Sequence, residues 1–172
     1  MSHKEQIEYC KKIKSKLPEY FKDNRVLDCG SLDVNGNNRH LFQNCEYIGI
    51  DVGEGKNVDV VSKIHEYNSD PFDVIISTEA LEHDKYYRDS LKNMFNLLKS
   101  GGLLLITCAS TNRPEHGTKR TKPEDAPLLE WDYYKNLTEE DFREVLDMTL
   151  FSEYSFETQR NEQDLNFYGV KV

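Results

Sequence analysis

The sequence predicts an α/β fold in one domain: a doubly wound, mostly parallel sheet with an antiparallel C-terminal edge hairpin. Short apolar runs at 25–29, 46–50, 58–61, 72–76 and 103–107 alternate with stretches of helical periodicity, the order that builds a parallel sheet through crossover connections. After residue 150 the period becomes a strict alternation, clearest at Tyr168, Val170 and Val172, around a polar turn at 159–164. That change marks a hairpin. The length of 172 residues suits one domain that buries about two-thirds of its unfolded surface.

Taken in order, Ile7, Cys10, Ile13 and Leu17 recur at helical spacing, so residues 3–21 read as an amphipathic helix broken near Pro18. Strand 25–29 follows and leads through a polar glycine loop closing on Gly36 to a short helix at 37–43 and strand 46–50. Residues 58–61 form a brief third strand, and Phe72-Asp73-Val74-Ile75-Ile76 a fourth, apolar enough to be buried on both faces. Asp84 is placed to cap the next helix, whose stripe is Leu91, Met94, Phe95 and Leu98, and Gly101-Gly102 to stop it. Leu103–Thr107 is the fifth strand. The stretch 109–136 has no periodicity and three prolines, the mark of a functional or disordered loop. Thr138 and Asp141 resemble a capping pair that opens a helix with Phe142, Val145, Leu146 and Thr149 on one side.

Whole-chain properties narrow the function. With 22 basic and 31 acidic residues the net charge is −9, which disfavours nucleic acid as a partner, because non-specific affinity comes from releasing counterions off phosphates. Lys119, Arg120 and Lys122 form the only dense basic patch and read as a solvated loop. Cys10, Cys29, Cys45 and Cys108 show neither metal spacing nor pairing, so they read as reduced thiols in a cytoplasmic protein. No apolar run reaches membrane-spanning length, and the N-terminus lacks a signal-peptide apolar segment.

In such sheets ligands bind beyond the carboxyl ends of the strands, and Asp28, Asp51, Glu79 and Cys108 all fall there. Two strands each finished by a carboxylate, with a glycine loop between, form a pocket for a ligand with an amine at one end and a ribose at the other. A nicotinamide dinucleotide would need Gly-x-Gly-x-x-Gly after the first strand. Leu32 and Asp33 stand where those glycines belong, and Asp28 would repel a pyrophosphate. S-adenosylmethionine, with its ammonium and ribose, meets both acids favourably.

VLDCGSLDVNG, YIGIDVGEGKNVDVV, FDVIISTEALEH and LLKSGGLLLITCAS resemble successive motifs of the class I S-adenosylmethionine-dependent methyltransferases. The likeness is strongest to small bacterial and phage members, similar to methyltransferase type 11, whose loop reads GS-x-D-x-NG. It spans roughly residues 24–110 and continues more weakly through 150. The resemblance implies a Rossmann-like fold in which Asp28, Gly30 and Ser31 line the methionine end of the cofactor. It places Asp51 on the ribose hydroxyls, Val52 against the adenine, Lys63 and Ile64 at the adenine edge, and Glu79 near the methionine end. Two departures stand out: Leu32 and Val34 replace loop glycines, and Lys63 replaces an acid that could accept from the adenine amino group.

The run Glu79-Ala-Leu-Glu82-His83 puts three potential ligands on one face if it is helical, and His116 could join them from the loop after the fifth strand. Two carboxylates and two imidazoles would bind a divalent ion. Metal-assisted small-RNA 2′-O-methyltransferases and quinone-precursor O-methyltransferases share this run. In the alternative, Glu82 is structural and His83 a packed or general-base histidine. The reading adopted assigns no metal and takes His83, His116 and Glu82 as catalytic, because methyl transfer from an activated sulfonium asks mainly for alignment and removal of one proton. Trp131, Tyr133, Tyr134, Arg113 and the Lys119–Lys122 patch would shape the acceptor pocket, and the N-terminal helix with Tyr9, Tyr20 and Phe21 would close over the cofactor. The expected reaction is O-methylation of a small-molecule, sugar or glycan acceptor. The alternatives are a metal-assisted RNA 2′-O-methyltransferase and a non-catalytic S-adenosylmethionine-binding module.

Overall fold

Burial on both faces places the apolar runs at 25–29, 72–76 and 103–107 in the middle of a single sheet, whereas the 58–61 run supplies only a two-residue exposed edge strand, Val60–Val61. The computed structural model describes residues 4–172, and residue 3, the expected start of the first helix, lies outside them. Helix α1 (Lys4–Lys16) is followed by a 3₁₀ turn at Pro18–Phe21, the break expected at the proline. Strands β1 (Arg25–Cys29), β2 (Glu46–Asp51), β3 (Val60–Val61), β4 (Phe72–Thr78), β5 (Leu98–Ala109), β6 (Phe151–Gln159) and β7 (Asp164–Lys171) form one seven-stranded sheet. Its order is β3-β2-β1-β4-β5-β7-β6. The first five strands pair in parallel, whereas β7 runs antiparallel between β5 and β6. The expected terminal hairpin is therefore present, with β6 as the edge.

Alternate strand residues serve opposite faces. Val26, Val74, Ile76, Leu103 and Leu105 pack under Tyr9, Ile13, Phe21, Leu41 and Phe42. Leu27, Ile75, Leu104 and Ile106 pack under Leu91, Met94, Phe142 and Leu146. The second set comes from α2 (Tyr87–Leu97), α3 (Glu139–Arg143) and the turn after α3. Chain order reverses between β1 and β4, both hydrogen-bonded neighbours in the middle of the sheet. Such a switch point leaves a crevice at the carboxyl ends of the strands.

Several local expectations change. The helix expected at 37–43 is a single 3₁₀ turn, Arg39–Leu41. Gly101-Gly102 does not stop α2, which ends at Leu97 because Leu98 already pairs with Phe72 in the sheet. The glycines instead lie in an irregular stretch of β5, with Gly101 left-handed at φ +76°. Asp84 is not the N-cap of α2; it accepts from Tyr86 N and Ser90 Oγ and braces the turn before the helix. Thr138 and Asp141 do form a reciprocal capping box at α3. Thr149 lies beyond that helix and is exposed. Cys10, Cys29 and Cys108 are free and buried, and Cys45 is free and half-buried.

Candidate active site

A cleft of about 890 Å³, solvent-open mouth included, lies at the carboxyl ends of β1, β2 and β4. All the residues expected to touch the cofactor line it: Asp28, Gly30, Ser31, Asp51, Val52, Lys63, Ile64 and Glu79. Among the described residues none from 4–21 does, because Tyr9 and Phe21 are spent in the core beneath the sheet. Cys108, at the end of β5, is also buried away from the cleft.

Asp51 is aimed by the backbone. Its Oδ2 accepts Leu32 N at 3.0 Å and its Oδ1 accepts Val52 N at 2.8 Å, leaving lone-pair capacity on each oxygen for a diol. Burial raises its carboxyl above its ordinary value, and the two N–H groups oppose the rise. Only the backbone N–H of Leu32 takes part in that contact, so the contact does not require glycine there. Asp28 accepts Tyr47 Oη at 2.7 Å, and burial pushes its carboxyl up to about 6. Gly30 sits at φ +78°, and a Cβ there would come within 2.3 Å of Ala80 Cβ. No other residue fits between β1 and the turn after β4.

The Glu79–His83 run is not a helix. Glu79 is left-handed at φ 55°, and only Leu81–His83 makes a 3₁₀ turn, so the expected one-face arrangement of three ligands does not form. The Glu79 carboxylate is sealed from solvent. It accepts Thr107 Oγ1 at 3.2 Å and lies 3.8 Å from Arg113. Glu82, His83 and His116 do converge, with a donor atom from each within 4.8 Å of the others. The two imidazole rings meet edge-on at 4.9 Å, and Tyr134 packs on both. Burial, then the neighbouring His116, holds the His83 imidazole down at about 3. Burial also lowers His116, while burial and Glu79 raise the Glu82 carboxyl well above its usual range. Only His83 of this trio lines the cleft; Glu82 and His116 sit behind it.

The aperiodic 109–136 stretch is a loop, as expected, with one 3₁₀ turn at Pro123–Asp125. It is tied down at several points. Lys135 N donates to Glu82 O and Trp131 Nε1 to His83 O, each at 2.8 Å. Arg113, placed by sequence in the acceptor pocket, instead binds the buried Asp164 at 2.8 Å, which Arg160 also contacts. Arg120 pairs with Glu115, and Lys119 and Lys122 are exposed away from the cleft, as a solvated loop requires. Leu128 and Trp131 reach the cleft, and Leu128 packs on Gly53 next to Val52.

The whole-chain comparison now decides the family. The model of a family described as a methyltransferase domain matches residues 1–166. The chain belongs to that methyltransferase family. The protein is a class I methyltransferase whose methyl donor is S-adenosylmethionine, and a cleft with an acid at each of two strand ends suits that donor. Solved structures share the fold at low identity. The 1,6-didemethyltoxoflavin-N1-methyltransferase of Burkholderia thailandensis, with bound 1,6-didemethyltoxoflavin and S-adenosylhomocysteine, aligns at TM-score 0.62 and 14% identity, covering 100% of this chain and 92% of that one. The N-methyltransferase NodS of Bradyrhizobium japonicum, in complex with S-adenosylhomocysteine, aligns at 0.61 and 16%, covering 95% and 85%. Magnesium protoporphyrin IX methyltransferase of Synechocystis, with the same product bound, aligns at 0.65 and 12%, covering 98% and 83%. No curated protein matches the sequence. No helix among the described residues is long and apolar enough to cross a membrane.

Several residues of the methyltransferase cleft carry no sequence signal. Asn38 donates to Thr78 Oγ1 at 3.2 Å, and both residues line the cleft. Behind the lining, Asn57, left-handed at φ 71°, donates through Nδ2 to Ser31 O at 2.8 Å and accepts from Arg39 Nε at 2.7 Å. Such braces join segments distant in sequence, so spacing alone cannot reveal them.

Proposed function

We propose that this methyltransferase moves the methyl group of S-adenosylmethionine to an oxygen of a small-molecule, sugar or glycan acceptor. The observation that carries the reading is the juxtaposition of two acids at the ends of β1 and β2 with the buried Glu82–His83–His116 cluster, reached through His83 on the wall of the same cleft. In it, Asp51 receives the ribose hydroxyls, Asp28 the ammonium, and Val52, Ile64 and Leu128 the adenine. Gly30 and Ser31 border the methionine end. Glu79 shapes that end through its backbone while its carboxylate faces Arg113. Lys63, paired with Glu66 at 3.2 Å, borders the adenine edge without accepting from it.

The transfer is a displacement in which the acceptor oxygen forms a bond to the methyl carbon as the carbon–sulfur bond breaks, leaving a neutral thioether. An amine can attack through its lone pair, whereas a hydroxyl must also lose a proton. A buried cluster of Glu82, His83 and His116 beside the cleft therefore supports oxygen over nitrogen. Burial keeps His83 unprotonated at neutral pH but makes it a weak base, so its part in proton removal rests on its position on the cleft wall. Trp131 offers an aromatic face on which a sugar or planar acceptor can stack. The net charge of −9 weighs against RNA.

The reading is tested by calorimetry with S-adenosylhomocysteine, followed by incubation of labelled methyl donor with a panel of hydroxylated and aminated acceptors. One-to-one product binding and label on oxygen are expected. Label on nitrogen alone would overturn the acceptor assignment, and binding without turnover on any acceptor would favour a non-catalytic module.

A further inference from the structure

Glu82, His83 and His116 are the group of metal-capable side chains that the fold draws together among the described residues, each buried. Their polar atoms have nothing to bind. Both Glu82 oxygens, both His83 ring nitrogens and His116 Nε2 are sealed from solvent without a hydrogen-bond partner. A buried polar atom left this way is costly, and native folds rarely tolerate several at one point. At Asn38, His65 and Asn166 such atoms occur one at a time. Here they converge from two segments more than 30 residues apart in the chain.

The surroundings prepare the two imidazoles as ligands. His116 Nδ1 lies 3.1 Å from Pro114 O, so the proton sits on Nδ1 and the Nε2 lone pair faces the cluster, the arrangement that orients a metal-bound histidine. Gly117, at φ +66°, lies so close to His83 that a Cβ would stand 2.6 Å from its Cε1. That contact holds the ring in place. Tyr134 closes the cluster from the side. Glu79 is not a fourth ligand, because its carboxylate faces Thr107 and the Arg113 guanidinium.

We propose that Glu82, His83 and His116 bind one divalent transition-metal ion of the zinc, cobalt or manganese class. Two nitrogen donors and one carboxylate suit those ions better than magnesium or calcium, which prefer all-oxygen shells. Three protein ligands leave open positions, as catalytic rather than structural sites do. The site deepens the proposed function, since a divalent charge behind His83 would ease loss of a proton from an acceptor hydroxyl. Its existence does not depend on that use.

Chelator-stripped full-length protein is titrated separately with Zn²⁺, Co²⁺, Mn²⁺ and Mg²⁺, and with S-adenosylhomocysteine in parallel. One Zn²⁺ or Co²⁺ per chain is expected, with Mg²⁺ weaker by at least about a hundredfold. E82Q and H116Q should each weaken Co²⁺ binding by at least about tenfold while S-adenosylhomocysteine affinity stays within about twofold, since neither residue lines the cleft. If H116Q does not fold, E82Q alone decides. Absence of saturable one-to-one uptake of any of these ions, or uptake unchanged in the variants, overturns the site. Metal uptake without S-adenosylhomocysteine binding would support the site and count against the proposed function instead.

Discussion

Asp51 and Glu82 are carboxylates at the same end of one sheet, yet their surroundings differ in kind. Asp51 has a backbone N–H on each oxygen, while Glu82 is fully buried with none. Asp28 likewise has the Tyr47 hydroxyl. The Asp28–Asp51 end of the cleft is thus finished before any ligand arrives, whereas the Glu82–His83–His116 end is held together by packing and leaves its polar atoms wanting a partner. A satisfied site is preformed for its ligand; an unsatisfied one stores a cost that a ligand can relieve.

That contrast can be broken most directly at Asp51. Asp51→Ala should weaken S-adenosylhomocysteine binding by about 3 kcal/mol, on the scale of hydrogen bonds to a charged group, as read by calorimetry; an unchanged affinity would remove Asp51 from the ribose role. Glu82→Met should do the opposite to stability. In chelator it should stabilise the protein by about 2 kcal/mol, raising Tm by several degrees. The sign follows from linkage. The Glu82 carboxyl is raised in the folded state, so the fold holds that proton more tightly and stability falls as pH rises above the ordinary carboxylate range. The gain in the Met variant should therefore be larger at pH 8 than at pH 5, and a variant less stable at every pH would show that Glu82 is already satisfied.

Asp28 sharpens the comparison through pH. With its carboxyl pushed up to about 6, it is ionised at pH 7.5 and protonated at pH 5. S-adenosylhomocysteine affinity should fall as pH drops below about 6, by up to about tenfold (1.4 kcal/mol) per unit, and Asp28→Asn should flatten that profile. A flat wild-type profile would mean that Asp28 does not meet the ammonium. The smallest effect belongs to the strap between the two ends. Trp131→Phe removes the hydrogen bond to His83 O and should cost about 1 kcal/mol in urea unfolding, with faster amide exchange in the loop carrying Leu128. No change in exchange there would mean that the loop is held by its other ties.

The legible parts of this protein are those whose cause is local. A strand buried on both faces must be apolar along its length, so β1, β2, β4 and β5 show in the sequence, and an acid that ends such a strand shows with it. The change to alternation after residue 150 likewise revealed the hairpin. The crossovers were harder. Arg39–Leu41 makes only one 3₁₀ turn, because Leu41 and Phe42 need reach only one patch of core. Gly101-Gly102 does not mark the end of α2 for a related reason: pairing of Leu98 with Phe72 ends the helix before the glycines can.

Residues 25–55 by themselves determined the two-acid end of the cleft, since Asp28 and Asp51 are placed by the strands they terminate and Gly30 by a turn no side chain fits. Only the tertiary structure decided the second half of the site. It turned Glu79 aside through a left-handed backbone and the attraction of Arg113, and it carried His116 across on the loop after β5 to meet Glu82 and His83. Spacing along a chain encodes which face of an element a residue occupies. Which buried polar atoms are left facing each other depends on how distant segments pack.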